Sequence, residues 1–76
     1  MKLKLGGHLP FYAYKKQAKI EVPLEQPARL RDVILQLGIP VGEVYMTVLN
    51  GELVTLDETT VCDSDEVRLF SPMDGG

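Results

Sequence analysis

Gly75 and Gly76 close the sequence, and they offer the clearest chemistry in it. Glycine has no side chain, so such a dipeptide can enter a channel too narrow for any other and approach a nucleotide closely. The pair also leaves the terminal carboxylate of Gly76 unhindered. A carboxylate is a poor electrophile until one oxygen becomes a good leaving group. Transfer to AMP achieves that, and a sulfur nucleophile can then form a thioester or thiocarboxylate. The sequence has no phosphate-cradling motif, so this chemistry calls for a second protein that uses ATP, with no cofactor held by the chain itself. Pro72 stiffens the base of the segment and directs it away from the body.

The other reactive residue types lead nowhere comparable. His8 is the single histidine and lies between Gly7 and Leu9, a loop setting with no second histidine or cysteine nearby. Cys62 is the single cysteine, so no disulfide framework or cysteine metal cluster is expected. It is read as a partly buried small residue, and among the neighbouring acids a reactive thiolate is disfavoured. Asp57, Glu58, Asp63, Asp65 and Glu66 fail the spacing of a calcium-binding loop and read as solvated turns. No acid–base pair, nucleophile–base pair or metal set can be assembled, so no catalytic residue is assigned and the chain is not expected to be an enzyme.

Seventy-six residues, 45% hydrophobic and 25% charged, permit one folded domain with a modest core. The net charge of −3 disfavours nucleic acid and anionic membrane as partners and suits docking on a positively charged protein surface. No apolar run is long enough to span a membrane. A lone cysteine fits a reducing compartment, and a cytoplasmic location is expected.

The elements that must position the terminus follow from hydrophobic periodicity. Residues 2–5 alternate as a half-buried strand, stopped by Gly6 and Gly7. Residues 8–17, with Pro10, Phe11, Tyr12 and Tyr14, read as a long connection. The aromatics there either pack on the sheet edge or form an exposed recognition patch. A second strand spans residues 18–22. Pro27 suits a first helical position, Glu25 lies near the positive end of the dipole, and Leu30, Val33, Ile34 and Leu37 make one apolar stripe. Gly38 caps this helix and Pro40 prevents its continuation, which predicts a helix over residues 27–37. Residues 44–49 form a strand, Asn50-Gly51 a tight hairpin turn, and residues 52–54 the return. Residues 55–60 read as loop and residues 66–70 as the final strand. Within that strand Val67 and Leu69 share one face, and Glu66, Arg68 and Phe70 share the other. If the first pair faces the helix, Phe70 points outward at the base of the tail, as a docking contact or as cover for the sheet edge.

One helix must cover the apolar face of the sheet, and a long last strand beside the first ties both chain ends into it. The fold class is therefore α+β, a ubiquitin-like β-grasp with a mixed sheet of about five strands and one main helix. Residues 1–70 form the domain and residues 71–76 a flexible tail.

The Asn50-Gly51-Glu52-Leu53-Val54 segment, the turn at residues 63–67 and the Phe-Ser-Pro-Met-Asp-Gly-Gly end resemble the ThiS/MoaD family of ubiquitin-like sulfur carriers. The resemblance is specific from about residue 48 onward. It implies that Gly76 is adenylated by a ubiquitin-activating-enzyme-like adenylyltransferase that consumes ATP, then sulfurated to a thiocarboxylate. That group would donate sulfur to a synthase large subunit in cofactor biosynthesis, of molybdopterin type or thiamine type. It further implies that Pro72, Met73, Asp74 and Gly75 thread into the partner while Phe70 and Val48 dock on its surface. Asp74 departs from the small neutral residue usual before the glycines. The long first connection is nearer the molybdopterin-synthase small subunit, whereas the Ser71-Pro72 of the tail is nearer the thiamine carrier. A protein modifier forming isopeptide bonds through Gly76 shares the tail chemistry up to the adenylate, and a non-covalent binding subunit would use the fold only.

Overall fold

The alternating first and last segments become neighbours at the centre of a mixed sheet. The computed structural model describes residues 1–72. Strand β1 is Lys2–Leu5, β2 Lys19–Glu21, β3 Ala28–Arg29, followed by helix α1 over Leu30–Gln36. Strand β4 is Met46–Leu49, β5 Glu52–Val54, β6 Thr60–Val61 and β7 Glu66–Phe70. Five strands form one sheet in the order β2-β1-β7-β4-β5, with β7 parallel to β1 and antiparallel to β4. This is the α+β, β-grasp arrangement expected from the sequence.

One face of the sheet makes the core. Leu3, Leu5, Val67 and Leu69 point to α1, whose Leu30, Val33 and Ile34 meet them, and Met1, Leu9, Ile39 and Val61 close the edges. The helix ends as its glycine predicts: Gly38 adopts φ +83°. Its N–H donates to Leu35 O at 3.1 Å, and that of Ile39 donates to Ile34 O at 3.3 Å, together satisfying carbonyls the helix leaves open. Asn50 and Gly51 take φ of 50° and 88° in the expected hairpin turn.

Two expectations are corrected. The helix begins at Leu30, three residues later than Pro27 suggests, because Ala28 and Arg29 are extended and pair with Val61 and Thr60. The Leu30 N–H then donates to Thr59 O at 3.0 Å. Residues 55–60 are correspondingly not all loop: a short 3-10 turn, Leu56–Glu58, leads into β6. This second, two-stranded sheet buries Val61 completely, and that packing outweighs the local preference of Pro27 for a helix start.

Candidate docking face and tail base

Strand β7 separates its residues as its period requires. Val67 and Leu69 are fully buried, whereas Arg68 is exposed and Glu66 and Phe70 are half-buried on the opposite, outer face. Among the described residues no helix covers that outer face. It forms an open groove of about 690 Å³, lined by Met46, Val48, Arg68 and Phe70 with Glu66 and the Asn50-Gly51 turn at one end. The two residues expected to dock, Phe70 and Val48, thus line the same groove. Met46 lies directly opposite Phe70 in register, and Leu53, 70% exposed, lies opposite Val48. Neither was singled out from the sequence, although strand parity with Val48 places Met46 on its face.

The last turn of the fold is fastened from both sides. On one, the Gly6 N–H donates to Leu69 O at 2.8 Å; on the other, the Tyr45 N–H donates to Phe70 O at 2.7 Å. The Phe70 ring lies over Gly6, where a Cβ would come within 2.9 Å of Phe70 Cδ1. The lack of a side chain at Gly6 is what admits the ring. One residue further on, Ser71 is buried, and its hydroxyl accepts the His8 N–H at 3.0 Å. Pro72 is exposed immediately after it. Met73, Asp74, Gly75 and Gly76 lie outside the described residues.

The opposite end of β7 is held by polar groups. Asn50 donates from Nδ2 to Asp65 Oδ1 at 3.0 Å, and its Oδ1 accepts the Glu66 N–H at 2.9 Å. Asp65 also accepts the Cys62 N–H at 2.7 Å. The Asn50 amide, then the Cys62 N–H, hold the Asp65 carboxyl below its ordinary pKa. Asp63 is lowered too, first by the Leu24 N–H that it accepts at 2.9 Å and then by the nearby N-terminal ammonium at 3.6 Å.

The remaining candidates disperse. His8 is an exposed loop residue, and its backbone N–H makes its contact with Ser71. Cys62 is exposed, which corrects the expectation of partial burial: Val61 fills the core, so the next residue faces solvent. Phe11 and Tyr14 are 67% and 76% exposed, with Lys16 Nζ 5.1 Å from the Phe11 ring centre and Lys15 Nζ 5.4 Å from that of Tyr14. Of the two readings of this aromatic group, exposure is the one the fold adopts. Among the described residues no helix is long and apolar enough to cross a membrane.

A β-grasp domain with an uncovered, largely apolar groove beside the exit of its last strand has the outline of a ubiquitin-like protein. The model of the ThiS family matches residues 11–76, nearly the whole chain, and the chain belongs to that family of small sulfur carriers, which work with adenylyltransferase and synthase partners. No curated protein matches it.

Proposed function

We propose that the chain carries sulfur on the carboxylate of Gly76. A carboxylate oxygen attacks the α-phosphate of ATP in the adenylyltransferase and displaces pyrophosphate. A sulfide-level sulfur nucleophile (a hydrosulfide equivalent) then displaces AMP, leaving a thiocarboxylate; when that sulfur is transferred at the synthase, water returns the carboxylate. The chain contributes no group to bond making beyond that carboxylate, so it acts as a carrier substrate and not as an enzyme. Pro72, Met73, Asp74 and Gly75 are the residues that enter the partner, while Phe70 and Val48 dock against it.

The observation that carries this reading is the extent of the family match, which runs through Gly75 and Gly76. The fastened base at Leu69, Phe70 and Ser71 supports it, since a fixed exit beside an apolar groove lets docking orient whatever follows Pro72. The long connection between β1 and β2 favours a molybdopterin-type synthase over a thiamine-type one.

Intact-mass measurement after incubation with the adenylyltransferase, ATP and a sulfur source tests the chemistry. The expected product has one oxygen replaced by sulfur at Gly76, and it is lost when Gly76 is deleted. An unchanged terminus sinks the proposal, and a ladder of covalent protein adducts would replace it with isopeptide modification. Sulfur transfer from the purified thiocarboxylate to the molybdopterin-type large subunit, against the thiamine-type enzyme, distinguishes the two pathways.

A further inference from the structure

Charge is distributed unevenly in this chain. The first 20 residues contain all five lysines and no Asp or Glu, a net charge of +5. The rest carry three arginines against 11 acids, a net charge of −8. The fold then sorts the outer sheet face into rows that run across the strands. At the end away from the tail, Lys2 sits between Glu21 on β2 and Glu66 on β7. Signs alternate in that row, the arrangement that favours strand pairing.

The next row toward the tail breaks the rule. Lys4 lies directly opposite Lys19 on one side and Arg68 on the other, so three cations stand in register on adjacent strands. Like charges opposed across a ladder destabilise it. Their one relief among the described residues is a diagonal contact of Lys4 Nζ with Glu66 Oε1 at 3.5 Å. The row continues into Val48 and then Leu53, which is 70% exposed. Lys15 and Lys16 add two more exposed cations from the connection just before β2.

We propose that the Lys19–Lys4–Arg68 row docks an acidic surface of the adenylyltransferase, which places carboxylates beside the apolar patch that receives Val48 and Phe70. The inference rests on the carrier function proposed above and adds the chemistry of the partner. It reverses the expectation from net charge, which pointed to a basic partner; the local field at the docking face has the opposite sign. A protein surface fits better than a nucleic acid. The row spans only three strands, on the order of 10 Å, and a phosphate backbone extended past it would meet Glu21 and Glu66. A cationic margin grading into an apolar centre is the anatomy of a protein interface. Charges so placed act chiefly on the rate of association.

The test is stopped-flow association of the full chain with the adenylyltransferase, at low and high ionic strength. The double variant Lys4→Gln/Lys19→Gln should associate roughly tenfold more slowly at low salt, and the two curves should converge at high salt. Lys2→Gln removes the same kind of charge from the alternating row and should change the rate far less. Thermal unfolding supplies an independent check: the double variant relieves like-charge repulsion and should melt no lower than the unsubstituted chain. Association that is unchanged, or faster, in the double variant overturns the acidic partner. Retention of a labelled oligothymidylate that is lost in the double variant overturns it in favour of nucleic acid. ATP–pyrophosphate exchange that proceeds without salt dependence sinks only the charge row. Absence of exchange with the unsubstituted chain removes the carrier function and this partner together.

Discussion

The two faces of β7 are built from the same five residues, yet they face different demands. On the inner face Val67 and Leu69 are fully enclosed by β1, α1 and β6. On the outer face Glu66, Arg68 and Phe70 have only cross-strand neighbours and an open groove beyond them. The inner pair is there for stability. The outer three carry features that stability alone would not select: an aromatic ring left partly exposed and a cation placed opposite another cation. A small domain has little stability in reserve, on the order of 5 kcal/mol, so such features on its central strand suggest a surface shaped by a partner.

Substitutions on the inner face should give the largest effect on folding. Leu69→Ala should cost about 2–5 kcal/mol, through lost burial and the cavity left between the sheet and α1. Urea denaturation followed by circular dichroism measures it, and Leu69→Val, costing about 1 kcal/mol, gives a variant that stays folded. A cost below 1 kcal/mol for Leu69→Ala would erase the distinction between the faces.

Phe70→Ala should reverse the balance. The ring is half-buried, so unfolding should change by only about 1 kcal/mol, while affinity for the adenylyltransferase should fall roughly 10- to 100-fold. Calorimetry on the complex and denaturation of the free chain separate the two quantities. If stability falls as much as binding, Phe70 is cover for the sheet edge and no anchor.

Gly6→Ala should have a smaller effect with the same signature. A methyl at Gly6 meets the Phe70 ring at 2.9 Å, and the ring must move outward to admit it. Gly6 needs no unusual backbone conformation, so the cost is this contact. The unfolded-chain entropy that alanine removes offsets it in part, and the net loss of stability should be about 1 kcal/mol or less. Affinity for the partner should drop several-fold because the ring is displaced. Equal affinity would show that the position of the ring over Gly6 is immaterial to docking.

The separation of faces on β7 was legible in the sequence because it needs only parity and one known direction to the core. The same holds for Gly38 and for Asn50-Gly51, where the residue type itself specifies a positive φ. What the sequence did not disclose depends on register between distant segments. Two-residue strands such as Ala28–Arg29 and Thr60–Val61 have no periodicity to detect, and Pro27 ahead of an apolar stripe reads as a helix start. Likewise Lys4, Lys19 and Arg68 are far apart in sequence, and only the pairing of three strands makes them a row. The Ser71 contact with His8 spans 63 positions and rests on a backbone donor, so no side-chain pattern announces it.

Acid should give the smallest and most local effect, at the end of β7 remote from the tail. The Asp63 and Asp65 carboxylates accept hydrogen bonds from Leu24, Asn50 and Cys62, interactions that are stronger while the carboxylates are ionised. Both are held below the ordinary value of 3.8, so the folded state binds these protons more weakly than the unfolded chain does. Their contribution to stability is therefore complete above the unfolded pKa and is lost as pH falls through the lower folded values. Urea midpoints should decline from about pH 5 toward pH 3, with a shallower slope in Asp65→Asn. Both groups lie at the surface, where solvent weakens each interaction, and the decline should be modest. Phe70 lies at the other end of the strand from these carboxylates, so the acid sensitivity of folding and the affinity lost in Phe70→Ala should be additive in the double variant. Coupling between them would mean that β7 acts as one unit from turn to tail, and the division into a holding face and a docking face would then be too simple.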